Sequence, residues 1–253
     1  MSISQQKKTT NLTWRVSPQR WLQAQAWELD VWKTLDRSIF SSPPARILLA
    51  LRHHGNANAV GDDWNEWWAQ QFDNYAVVPG QLDNVIELGC GPYTNVRLIS
   101  RGRTIQRIYC SDPLACHYAG FKNGWLASAY RNRQVLLDDH PAEELPFANG
   151  TFDLTIMINV LDHVRDAQLC LESATRITKA GGLFIFGQDL TDETDPGVAL
   201  DDVGHPIMLD HCGLDRVLLP VFDVELRKVL SREEGRNPQA HYGTYLFIGK
   251  KHG

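Results

Sequence analysis

With 253 residues, 43% of them hydrophobic and 22% charged, the chain has the size and composition of one soluble α/β unit with a sizeable core. It holds no apolar run near the roughly 18 residues of a membrane span, and its polar start, Met1–Thr10, lacks the apolar segment of a secretory signal. A net charge of −5 argues against a broad nucleic-acid surface and leaves a small molecule as the expected partner.

Seven of the eight tryptophans precede Leu82, which sets residues 1–80 apart as a Trp-rich helical cap of the same compact unit as 81–253. Trp21, Gln25, Glu28 and Trp32 recur at helical spacing, as do Leu22, Ala26 and Leu29, and predict a helix over 18–36. Ser17 suits its cap and Pro18 its first turn. Ser41-Ser42-Pro43-Pro44 then breaks the chain before the apolar run Ile47–Leu51. Trp64, Trp67, Trp68, Phe72 and Tyr75 predict a second helix over 62–75, capped by Asp62 or Asp63. Such stripes form core more often than pocket. Their position ahead of the next strand also suits a cover that lends a ligand site an apolar wall.

From Asn84 onward, short apolar runs alternate with helical stretches. Val85–Leu88 precedes a helix near 94–101, Arg107–Cys110 one near 114–130, and Gln134–Leu137 follows. Leu154–Ile158 then precedes a helix near 165–178, and Leu183–Phe186 closes the series. Alternation of this kind implies parallel strands with helices on both faces. Val221–Val229 and Tyr242–Lys250, joined by the polar stretch Ser231–Gln239, suit an antiparallel pair. The expected class is α/β: a Rossmann-like, mainly parallel sheet with an antiparallel C-terminal strand and an N-terminal helical cap. Five cysteines (Cys90, Cys110, Cys116, Cys170 and Cys212) without metal spacing suit reduced thiols in the cytoplasm.

In Glu87-Leu88-Gly89-Cys90-Gly91-Pro92, a buried strand enters a tight turn. Gly89 and Gly91 let the backbone take positive φ and let a ligand approach, and the helix after them points free N–H groups at it. Two glycines alone leave a nicotinamide cofactor and S-adenosylmethionine side by side. Thr94 stands where a nicotinamide fingerprint has its third glycine, and the Glu87 carboxylate suits a ligand with an ammonium group. Asp112, 21 residues beyond Gly91, ends the second strand, where an acid accepts ribose hydroxyls. Pro113 and Leu114 are placed to flank an adenine, although Asp112-Pro113 also suits a simple turn and helix cap.

Between Asn84 and Gly187 the chain resembles the class I methyltransferase fold. The resemblance rests on the Glu87–Gly91 loop, on Asp112, and on Ala142–Phe147 with Phe152-Asp153-Leu154. Asn159–Val164 and Gly181–Phe186 complete the ordered set. It implies S-adenosylmethionine as cofactor, with Glu87, Gly89, Cys90, Gly91, Asp112, Pro113, Leu114 and Asn159 around it. The family's acid before the Ala-Glu pair is here Pro141, and Asp139, slightly upstream, is the candidate for the adenine amino group. The Trp-rich start, Arg20–Glu28, also resembles bacterial methyltransferases that modify polysaccharides or specialised small molecules.

Methyl transfer needs alignment and exclusion of water first, and a base only for hydroxyl or charged-amine acceptors. His163, after the fourth strand, and His205, in a long loop with Asp201 and Asp202, are the catalytic candidates. A structural or cofactor-edge role for His163 and a turn-and-cap role for the second segment stand beside that reading, and direct pairing of His163 with its neighbour Asp162 is not expected on a helix. No spacing resembles a metal motif. The function expected is methyl transfer to oxygen or nitrogen of a small-molecule acceptor. A non-catalytic cofactor-binding protein and an NAD(P)-dependent oxidoreductase are the alternatives.

Overall fold

The run Asn84–Leu88 lies on β1 (Gln81–Leu88), whose last four residues are buried, as a strand covered on both faces requires. The computed structural model describes residues 14–41, 62–121, 124–190, 203–235 and 243–253, with side chains left out at 37–41 and 62–64. β1 pairs in parallel with β2 (Thr104–Ser111) on one side and β4 (Phe152–Ile158) on the other. β3 (Leu136–Asp138) extends the sheet beyond β2, and β5 (Thr178–Leu190) lies in parallel beside β4. β7 (Gly243–Lys251) runs antiparallel to β5, and β6 (Phe222–Leu230) closes the edge antiparallel to β7. The order is therefore β3-β2-β1-β4-β5-β7-β6 in one seven-stranded sheet. Strand order reverses between β1 and β4, and the crevice beyond the carboxyl ends of strands at such a point is where open α/β sheets bind ligands.

Period-two alternation divides the core. Val85, Leu154, Ile156 and Ile185 pack on one face with Trp68, Phe72 and Tyr75 from the Trp-rich segment. Ile86, Leu88, Met157 and Phe184 pack on the other with Leu171, Ile177 and Leu214. The helices on these faces are α1 (Pro18–Ser41), α2 (Asp62–Gln71), α3 (Val96–Ile99), α4 (Ala115–Tyr118), α5 (Trp125–Arg131), α6 (Ala167–Ile177) and α7 (His211–Leu218). Asp166 caps α6 through the Leu169 N–H at 3.1 Å, and Asp210 caps α7 through the Gly213 N–H at 2.6 Å.

Several expected bounds shift for physical reasons. α2 stops before Tyr75 because Asp73, Asn74 and Tyr75 all have positive φ, which a right-handed helix excludes. The helix expected near 114–130 is divided into α4 and α5, with Gly124 extended at the start of α5. The helix after the glycine loop shrinks to α3. β5 runs past Phe186 because Gln188 and Asp189, though polar, are buried in the sheet, where the Thr244 hydroxyl on β7 donates to Asp189 Oδ1 at 3.0 Å. The run Ile47–Leu51 and the loop residues Asp201 and Asp202 lie outside the described residues. Among the described residues, no helix is long and apolar enough to cross a membrane.

Candidate functional site

β1 delivers the chain into a turn in which Gly89 (φ 62°) and Gly91 (φ 55°) are left-handed. At Gly89 the restriction is double, since a Cβ there would stand 2.5 Å from Val160 Cγ2. The Cys90 N–H donates to the Ser111 carbonyl at 3.1 Å, and the Gly91 N–H donates to Asp112 Oδ2 at 3.1 Å. The ends of β1 and β2 are thereby tied together. Asp112 Oδ1 also accepts the Leu114 N–H at 2.8 Å. Burial pushes the Asp112 carboxyl up to about 7, helped by the Glu28 charge and opposed by the Leu114 and Gly91 N–H groups.

A cavity opens above this edge. Gly89, Asp112, Pro113, Ala142 and Asn159 form its floor and sides, and Trp21, Gln25 and Glu28 of α1 roof it. The helical stripe Trp21, Gln25, Glu28 and Trp32 is thus the wall of a site. Gln25 Oε1 is buried with no hydrogen-bond partner among the described residues, an acceptor left for a ligand to use.

A second, more open chamber of about 310 Å³ shares Glu28, Gly89, Asn159 and His163 with the first. Trp27, Trp32, Trp68 and Tyr93 line it, with Cys90, Gly91 and His205. α2 helps to hold its floor, because Asn65 Nδ2 donates to the carbonyls of Tyr93 (3.1 Å) and Thr94 (2.9 Å). At the junction, His163 Nδ1 lies 3.8 Å from Glu28 Oε2 and His163 Nε2 lies 3.8 Å from Asp162 Oδ1. Residues 159–166 form turns rather than a helix, so these sequence neighbours do approach each other. Burial pulls the His163 imidazole down, but the Asp162 and Glu28 carboxylates outweigh it and hold the ring above its usual value. The His205 ring stands 4.6 Å from that of His163, centroid to centroid. Ligand atoms of Asp162, His163 and His205 lie within 4.8 Å of one another, a grouping of metal-binding side chains that no sequence spacing foreshadowed.

Gly89, Asp112, Pro113, Asn159 and His163 border the first chamber, and Cys90, Gly91 and His205 the second. Three expected positions lie apart from the two chambers. Glu87 lines neither chamber. Its Oε1 accepts the Asn95 N–H (2.9 Å) and side-chain amide (3.2 Å), and its Oε2 accepts the Val96 N–H at 2.9 Å. It therefore holds the start of α3, and burial pushes it up to about 7 against those donors. Leu114 contributes its backbone N–H, while its side chain packs into the core. Asp139 is exposed and accepts from the Cys116 thiol at 3.7 Å. Its neighbour Asp138 turns the other way to accept the Ser111 hydroxyl at 2.7 Å, and His140, Pro141 and Ala142 border the chamber instead.

Residues 86–186 match the family model of a methyltransferase domain. They have the fold of a class I methyltransferase domain. The N-methyltransferase NodS from Bradyrhizobium japonicum WM9, solved with S-adenosyl-L-homocysteine, is similar with a TM-score of 0.52 and 14% identity, over 75% of this chain and 86% of that one. The YcgJ protein from Bacillus subtilis has a TM-score of 0.52 and 16% identity, over 71% and 96%. The [4+2]-cyclase SpnF has a TM-score of 0.54 and 16% identity, over 76% and 80%. Comparison with curated proteins finds no match. At these identities the solved structures share the fold. The methyltransferase domain supplies the Gly89–Asp112 edge, Asn159 and His163, whereas Glu28, Trp27, Trp32 and His205 come from outside the matched residues.

Proposed function

We propose that the protein transfers a methyl group from S-adenosylmethionine to oxygen or nitrogen of a small-molecule acceptor in the cytoplasm. The observation that carries this reading is the first chamber: Gly89, Asp112 and Pro113 meet at the switch point of a methyltransferase domain beneath a helix that closes the site. The residues fit the cofactor. Asp112 offers a carboxylate for ribose hydroxyls, the left-handed Gly89 leaves space that a side chain would fill, and Gln25 Oε1 is a buried acceptor without a partner among the described residues. S-adenosylmethionine supplies the activated methyl group when bound. Trp21, Gln25 and Glu28 exclude water from above, and the second chamber holds the acceptor against Gly89, Asn159 and His163. His163 stands where it can take a proton from the acceptor. The test is incubation with methyl-labelled S-adenosylmethionine and pooled small metabolites, in which label passes to a small molecule. Cofactor binding without any labelled acceptor would favour the non-catalytic reading.

A further inference from the structure

We infer that the acceptor is a small alkylammonium compound, held in the second chamber between the Glu28 carboxylate and the faces of Trp27, Trp32 and Tyr93, and methylated on nitrogen. The inference rests on the reading that the first chamber holds S-adenosylmethionine.

The second chamber is aromatic and negative. Its described lining contains no lysine or arginine, and neither does that of the first chamber. A phosphate or carboxylate acceptor would find no such counter-charge there, and a sugar would meet indole walls that offer few hydrogen bonds. A cation gains from ring faces and a fixed carboxylate together. Trp32 and Tyr93 already meet edge to face at 5.6 Å, forming one corner of the wall. Trp27, on the same lining, lies beside His205 with ring centroids 6.1 Å apart.

The carboxylate is held in place. Glu28 Oε1 accepts from Trp32 Nε1 at 3.2 Å and from the Tyr118 hydroxyl at 3.5 Å. Oε2 is turned to the junction, 3.8 Å from His163 Nδ1. The same residue thus fixes an aromatic wall and places a negative charge where the two chambers meet. His163, at the same junction, is placed to accept an N–H proton from the bound acceptor. The nitrogen pair then forms the new N–C bond as the C–S bond breaks with its electrons left on sulfur. A methylated ammonium and a neutral thioether result, so charge and protons balance.

The test compares choline with its uncharged carbon isostere, 3,3-dimethyl-1-butanol, by tryptophan fluorescence and calorimetry on the full chain with S-adenosylhomocysteine present. Choline is expected to bind at least about ten-fold more tightly than the alcohol. Glu28→Gln is expected to remove most of that difference. Equal affinity of the two probes, or binding of neither, in a protein that does bind S-adenosylhomocysteine overturns the ammonium acceptor alone. Failure to bind S-adenosylhomocysteine overturns the cofactor reading, and the acceptor with it.

Discussion

Glu28 Oε2 lies 3.8 Å from His163 Nδ1, joining the cap helix to the turn that follows β4. One member comes from the Trp-rich segment and the other from the methyltransferase domain, so the site is completed only when the two pack together. Glu28 and Asp162 hold the His163 imidazole above its ordinary 6.5 in spite of burial. The titration midpoint of His163, followed by NMR of its ring protons, should lie above 6.5 and fall in Glu28→Gln. A midpoint unmoved by the substitution would remove Glu28 as its electrostatic partner. Because the folded-state value is raised, this group's stabilisation is full below 6.5 and is lost as pH rises through the higher folded value.

Asp112 has the opposite chemistry. Burial raises its carboxyl from 3.8 to about 7, so the fold favours the protonated acid over the carboxylate. The stability this group contributes is present below 3.8 and is lost as pH rises toward about 7. In thermal melts from pH 4 to 7, wild type should lose stability relative to Asp112→Asn, and a constant difference would contradict the raised value.

Glu87 is predicted to matter for stability before it matters for affinity. Three N–H donors of Asn95 and Val96 depend on its two oxygens. Glu87→Ala leaves them buried without their acceptor, at a cost of about 3 kcal/mol in urea unfolding. A loss below about 0.5 kcal/mol would show that the start of α3 is held by other means.

At Gly89 two effects are separable. Alanine there takes an unfavourable φ of 62° and brings a Cβ 2.5 Å from Val160 Cγ2. Gly89→Ala should cost about 2–3 kcal/mol. Adding Val160→Ala should recover only the packing part, leaving about 1–2 kcal/mol for the backbone. Full recovery in the double variant would mean that the left-handed turn is not required.

The sheet was legible because buried parallel strands are continuous apolar runs, and Val85–Leu88 and Leu154–Ile158 read that way. The polar end of β5 was not, since Gln188 and Asp189 are buried through hydrogen bonds rather than through hydrophobicity. Asp112 was legible from its distance to the glycine loop. At the end of β3, Asp138 accepts from the Ser111 hydroxyl and Asp139 is exposed, so neither adjacent acid borders the chamber. The periodicity of Trp21, Gln25, Glu28 and Trp32 revealed a helix but not what its inner face covers. The available signal was a carboxylate and an amide among tryptophans on that face. The meeting of His163 with His205 is a tertiary contact across a long loop, and no local pattern encodes it.

Calorimetric titration of the wild type and Asp112→Ala with S-adenosylhomocysteine tests the central claim most directly. A single site is expected in the wild type, with affinity lowered at least about ten-fold in Asp112→Ala, as loss of hydrogen bonds to a charged group implies. No binding to the wild type, or equal affinity in both proteins, would contradict a cofactor site at the Gly89–Asp112 edge.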